Sequence, residues 1–266
     1  MGLVVPRGDA YHRSMLNTII HGDPTDHPPL LIAHGLYGSA RNWGVIARRL
    51  SDERQVIAVD MRNHAYSFWD AQHGYTDLAH DLAKVIDSVG GIADIVGHSM
   101  GGKASMVLAL EYGNLVRKLI VADIAPVAYS HSQIQFIEAM RAVDMSRVQR
   151  RSDAEAQLAD LGVEKALQSF FTQSLDVEGG RWRLNLDVLA SEMPKIMGFP
   201  EISTHWDGPA LFLSGAASDY VQPEHREQIR TLFPAARFAK IPGAGHWLHA
   251  EKPREFEAAV RTFFNA

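Results

Sequence analysis

Short apolar runs recur along the first half of the chain, each closed by a polar or turn-forming residue. Residues 16–20 end in His21-Gly22-Asp23-Pro24, 30–33 in His34-Gly35, 56–59 in Asp60, 92–96 in Gly97 and 119–122 in Asp123. The runs are mostly apolar throughout rather than alternating, as expected of strands covered on both faces. Longer stretches of helical periodicity lie between them, at 42–50, 76–89 and 103–112. Strands alternating with helices predict parallel strands joined by crossover helices.

The rhythm changes after Pro126. From about 127 to 205 the pattern predicts helices only, over 132–148, 154–161, 164–175 and 186–197, with breaks near Gly162, Gly179-Gly180 and Pro194. Strands return at 210–213 and 237–241, with a helix near 223–232 between them and a last helix over 253–264. The expected architecture is an α/β core over 15–126 and 206–266, interrupted by a helical cap at 127–205. Residues 1–14 contain Leu3-Val4-Val5-Pro6-Arg7-Gly8, similar to a protease-cleavage scar, and are read as a leader or tag remnant.

Composition narrows the function classes. The chain has 266 residues, 46% of them hydrophobic and 21% charged, the proportions of a globular domain. A net charge of −5 supplies no basic footprint for nucleic acid and no polybasic membrane patch. The absence of cysteine excludes disulfides, thiolate catalysis and cysteine metal sites. No stretch approaches the ~18 apolar residues of a membrane span, so a cytoplasmic protein without membrane insertion is expected.

Chemistry concentrates where the predicted strands end, because open parallel sheets gather their sites at the carboxyl ends. The polar residues there are His34, Asp60, Ser99, Asp123, Asp219 and His246. Gly97-His98-Ser99-Met100-Gly101 sits between an apolar run and a helical one, the strand-turn-helix context of a nucleophile elbow. A serine hydroxyl needs a base to take its proton, and the base needs a carboxylate to hold its tautomer. His246, in the small-residue loop Pro242-Gly243-Ala244-Gly245, is the candidate base; His249 is its local competitor.

Two residues compete for the acid. Asp123 directly ends its strand. Asp219 follows the run at 210–213, but the usual spacing from Gly215 lands on Ser218, and a one-residue shift in extended chain turns a side chain to the other face. Asp123 is preferred, with Asp219 the alternative. Backbone N–H groups of Leu36 and Met100 are the expected oxyanion donors. Gly97, Gly102 and Lys103 nearly spell a phosphate-binding loop, but Ala104 stands where a hydroxyl would hold Mg²⁺. Lys103 is instead expected to pack along its helix with the amine at the surface. Arg62-Asn63-His64 is read as a loop bracing the site. Neither a metal nor a cofactor is expected.

Five blocks together resemble the α/β-hydrolase superfamily, and within it the bacterial YbfF-type esterases and their mitochondrial relatives. They are His34-Gly35-x-x-Gly38-Ser39, Asp60-x-Arg62-Asn63-His64, 97–103, Asp123-Ile124-Ala125-Pro126 and Gly245-His246-Trp247. In that branch the acid follows the strand after the elbow, which implies Asp123. The resemblance further implies a hydrolase of small acyl esters, with thioester or C–C bond hydrolysis as alternatives on the same triad. A non-catalytic receptor pocket is the alternative of a different class. Ala65 departs from the branch, which usually carries glycine there. The expected partner is a small-molecule ester; oligomeric state is open.

Overall fold

The apolar runs become the strands of one sheet in the computed structural model, which describes residues 15–266. The reading of residues 1–14 lies outside the described residues. In chain order the strands are β1 (Thr18–His21), β2 (Leu30–Ala33), β3 (Val56–Val59), β4 (Ala93–His98), β5 (Val116–Ala122), β6 (Leu175–Asp176), β7 (Arg181–Trp182), β8 (Ala210–Gly215) and β9 (Ala236–Ile241). Seven of them form a sheet of order β1-β3-β2-β4-β5-β8-β9. The edge strand β1 runs antiparallel to β3, and every other pair is parallel.

Alternation along each strand divides the core between the two faces. Leu31, Ala33, Ile57 and Val59 point into one buried cluster, and Leu30, Ile32, Val56 and Ala58 into the other. The helices are α1 (Gly44–Leu50), α2 (Tyr75–Ser88), α3 (Met100–Glu111), α4 (Ile134–Arg141), α5 (Arg151–Asp160), α6 (Lys165–Thr172), α7 (Leu186–Ser191), α8 (Met193–Met197), α9 (Arg226–Leu232), α10 (Leu248–Glu251) and α11 (Pro253–Asn265), and those outside the β5–β8 segment cover both faces. On α11, Phe256, Val260, Phe263 and Phe264 make the buried stripe that joins the second cluster, while Pro253 starts the helix where its missing N–H costs nothing.

The segment between β5 and β8 departs from the sequence reading in three places. The helix expected over 132–148 stops at Arg141, and a separate 3₁₀ turn, Met145–Arg147, follows. Asp144 caps that turn by accepting from the Ser146 N–H at 3.0 Å, a local bond that competes with helix continuation. The helix expected over 186–197 is two helices, with Pro194 in the first turn of the second. The expectation of no strand is also wrong. β6 and β7 pair antiparallel across Gly179-Gly180, and Asp176 accepts from the Gly179 N–H at 3.1 Å. Two-residue strands are too short to show an alternation. Apolar residues of this segment, among them Ile137, Met140, Phe171, Trp182 and Ile196, join the first core cluster, so it packs over one end of the sheet.

Candidate active site

The turn from β4 into α3 is built on two glycines. A Cβ on Gly97 would lie 2.4 Å from Gly101 O and from Ser105 Oγ, and one on Gly101 2.3 Å from Ala33 O. Close packing here forces Ser99 to φ 52°, ψ −119°, a conformation L residues rarely adopt. Its N–H is held by Ala122 O at 3.1 Å. Ser99 thus projects beyond the carboxyl end of β4 at the N-terminus of α3.

Asp123, the residue after β5, also has positive φ, 53°. It is fully buried and accepts from Gly215 N–H at 3.0 Å and from the Ser218 hydroxyl. These bonds aim its second oxygen at the loop after β9. There His246 Nδ1 donates to Asp123 Oδ2 at 2.7 Å, and Nε2 lies 3.1 Å from Ser99 Oγ. With Nδ1 protonated by this pairing, Nε2 is the free base facing the hydroxyl. Sequence separations of 147 and 123 residues are closed by the parallel sheet.

Neighbours hold the imidazole in place. The Tyr220 ring stacks on it with centroids 3.9 Å apart, and His98 Nε2 donates to the His246 carbonyl at 2.8 Å. Burial pulls the His98 pKa well below the ordinary value, with neighbouring His249 and His246 adding to the effect, so His98 is neutral. His249 stands on α10, stacked on Trp43 at 4.0 Å, and makes no bond to Ser99. Burial lowers its pKa to about 3. Asp219 is exposed, and its carboxylate meets Gln222 Nε2 at 3.4 Å. The structure therefore brings Asp123, not Asp219, to His246, and it puts Ser218 rather than an acid at the position counted from Gly215.

A cavity of about 270 Å³ opens at Ser99. Leu36 and Met100 both line it. The loop carrying Leu36 is braced from below: the Tyr37 N–H donates to His64 Nε2 at 3.2 Å, and the Met61 N–H to His34 Nε2 at 2.9 Å. Burial keeps both rings neutral, lowering His34 to about 4 and His64 to about 3. Arg62 is paired with Asp81, Nε to Oδ2 at 2.6 Å, and Asp60 accepts from Asn17 Nδ2 and the Ala40 N–H. These strand-end residues are scaffold. The apolar walls come from Ile124, Phe136, Leu167, Phe170, Ile196 and Met197.

Lys103 contradicts its expected place. It is 1% exposed, with Nζ bonded to three backbone carbonyls beside the cavity rather than in solvent. Of what sequence reasoning missed, Tyr220 had a signal only in its closeness to Ser218; the burial of the Lys103 amine had none.

A parallel sheet of this order with a Ser–His–Asp relay at its carboxyl edge defines a class, and residues 28–253 match the model of the alpha/beta hydrolase fold; the chain belongs to that family. Among its relatives, mouse "sn-1-specific diacylglycerol lipase ABHD11" is 41% identical over 256 residues, covering 92% of this chain and 83% of the mouse protein. "Esterase YbfF" of Escherichia coli K12 is 40% identical over 245 residues, covering 90% and 94%. The solved structure of a "Marine microorganism esterase" superposes with a TM-score of 0.88 at 37% identity, covering 94% of this chain and 99% of that one.

Proposed function

We propose that this protein is a serine carboxylesterase that hydrolyses small acyl esters through an acyl-enzyme. One observation carries the reading: a single imidazole bridges a buried carboxylate at 2.7 Å and a strained serine hydroxyl at 3.1 Å, beside an apolar cavity. Ser99 Oγ attacks the ester carbonyl as His246 Nε2 takes its proton. Asp123 stabilises the imidazolium through Nδ1–H. The tetrahedral oxyanion lies against the N–H groups of Leu36 and Met100, each worth about 3 kcal/mol in the transition state. His246 then protonates the leaving alcohol, and water, deprotonated by His246, releases the acid.

The cavity argues for a short acyl group. About 270 Å³ is just below the usual range for drug-sized ligands. The name of the mouse relative speaks of diacylglycerol; the cavity here fits one short chain rather than two long ones. In this reading 127–205 is a cap that supplies the acyl walls to a core of 15–126 and 206–266.

Two measurements test it. A fluorophosphonate should label Ser99, and p-nitrophenyl acetate should turn over; label without turnover would support a receptor pocket. In an ester and acyl-CoA panel from two to sixteen carbons, the rate should peak at short esters. A peak at long chains or at thioesters would overturn the assigned substrate class.

A further inference from the structure

The buried ammonium of Lys103 has no part in these steps. Lys103 lies one turn after Ser99 on α3, its own N–H bonded to Ser99 O at 3.0 Å. Nζ donates to Val127 O at 2.9 Å, Met197 O at 3.1 Å and Gly198 O at 2.6 Å. An ammonium has three donors, and all three are spent. Val127 stands near the start of the segment between β5 and β8. Met197 and Gly198 end its last helix, where carbonyls have no partner within the helix. One side chain therefore holds both stems of the insertion. The charge also sits 4.8 Å from the Tyr129 ring centroid and 5.7 Å from that of Tyr75.

Two paths lead from this point to the reacting groups. Ile196 and Met197, beside the bonded carbonyls, form part of the cavity wall. Tyr129 accepts the Ala125 N–H at 3.0 Å and donates to Tyr220 O at 2.7 Å, and Tyr220 is the ring stacked on His246. A ligand role is disfavoured, because a substrate carboxylate or phosphate would have to displace a carbonyl already bonded.

We infer that Lys103 is a positioning residue: it pins both stems of the insertion to the nucleophile's helix and thereby sets the acyl wall. Burial pulls its pKa down to about 7, while the three carbonyls and two ring faces favour the charged form. Its kinetic consequence rests on the esterase reading; its structural consequence does not.

The test uses the full chain. In Lys103→Met, amide exchange over 127–131 and 196–199 should quicken about tenfold while β4 and β5 stay protected, as expected when three buried carbonyls lose their donor. KM for p-nitrophenyl butyrate should rise about tenfold with kcat within about threefold. The chain has no cysteine, so Lys103→Cys offers a unique thiol. Alkylated while unfolded with 2-bromoethylamine and refolded, it regains an ammonium and should recover KM and stem protection. The S-propyl adduct, of matching shape without charge, should not. Wild-type protein carried through the same cycle is the control. Unchanged stem exchange in Lys103→Met, loss of protection throughout the sheet, or equal rescue by both adducts would overturn the inference. If wild-type protein turns over no ester, the esterase reading fails, and the exchange arm still decides the role of Lys103.

Discussion

The two ends of the central sheet are built from opposite materials. At the amino ends of β4 and β5, Asp94 is fully buried between Arg54 and Arg117, with Arg117 Nε at 2.8 Å. Arg117 and Lys118 also take the carbonyls of the last residues of the chain, tying α11 to the sheet. Both Asp94 oxygens have arginine partners, and among the described residues no non-glycine residue at this end has positive φ. At the carboxyl ends stand Tyr37, Asn63, Ala65, Ser99 and Asp123, the five non-glycine residues with positive φ among the described residues. Each follows one of the strands β2 to β5. Strain of about 1–3 kcal/mol per such residue persists only where surrounding structure over-determines it. Stability is thus concentrated at one end of the sheet and reactivity at the other.

Ser99→Gly should separate the two most sharply. Loss of the hydroxyl should lower kcat by about 10⁵-fold, while glycine, at ease at φ 52°, should raise stability by about 1 kcal/mol. Ester turnover and a urea midpoint read both. Asp123→Asn should lower kcat about 10⁴-fold by presenting the wrong tautomer to Ser99, whereas Asp219→Asn should stay within about twofold, its side chain being exposed on Gln222. The reverse result would move the acid to Asp219.

At the other end, Asp94→Ala should cost about 3–5 kcal/mol by leaving buried Arg54 uncompensated. The kcat of the folded fraction should not change. A drop in kcat without a shift in the urea midpoint would dissolve the division between the two ends.

Acid should loosen the carboxyl end in particular. Burial lowers His34 to about 4 and His64 and His249 to about 3, with His73 and His98 also well below 6.5. The unfolded chain binds protons below pH 6.5 that the folded chain refuses. Stability is therefore complete above that pH and falls as pH drops toward about 4, at up to about 1.4 kcal/mol per pH unit for each ring. Urea midpoints between pH 7 and 5 should show the slope, and His249→Phe should flatten it. The smallest effect expected is at Ala65, where φ is 45°. Ala65→Gly should stabilise by about 0.5–1 kcal/mol.

Much of this arrangement was legible in the sequence. Strands at 30–33 and 56–59 keep their expected bounds because apolar residues buried on both faces leave an unbroken run. The elbow was legible because its tight turn demands glycine at fixed positions. The choice between Asp123 and Asp219 was harder, since the spacing that settles it depends on where β8 ends and how the next loop turns. Lys103 was misread because its own helix says nothing about carbonyls arriving from 24 and 94 residues away. The Tyr220 stack on His246 had no signal beyond the closeness of Tyr220 to Ser218, for the same reason. Long-range partners of polar groups are set by topology rather than by local pattern.

In the proposed mechanism Ser99 becomes acylated during turnover. Rapid quenching of enzyme mixed with p-nitrophenyl butyrate, followed by mass spectrometry of the peptide containing 97–103, tests it most directly. The expected result is a butyryl adduct on Ser99, formed in step with a burst of about one p-nitrophenol per enzyme. Steady ester turnover with that peptide unmodified at every time would contradict it.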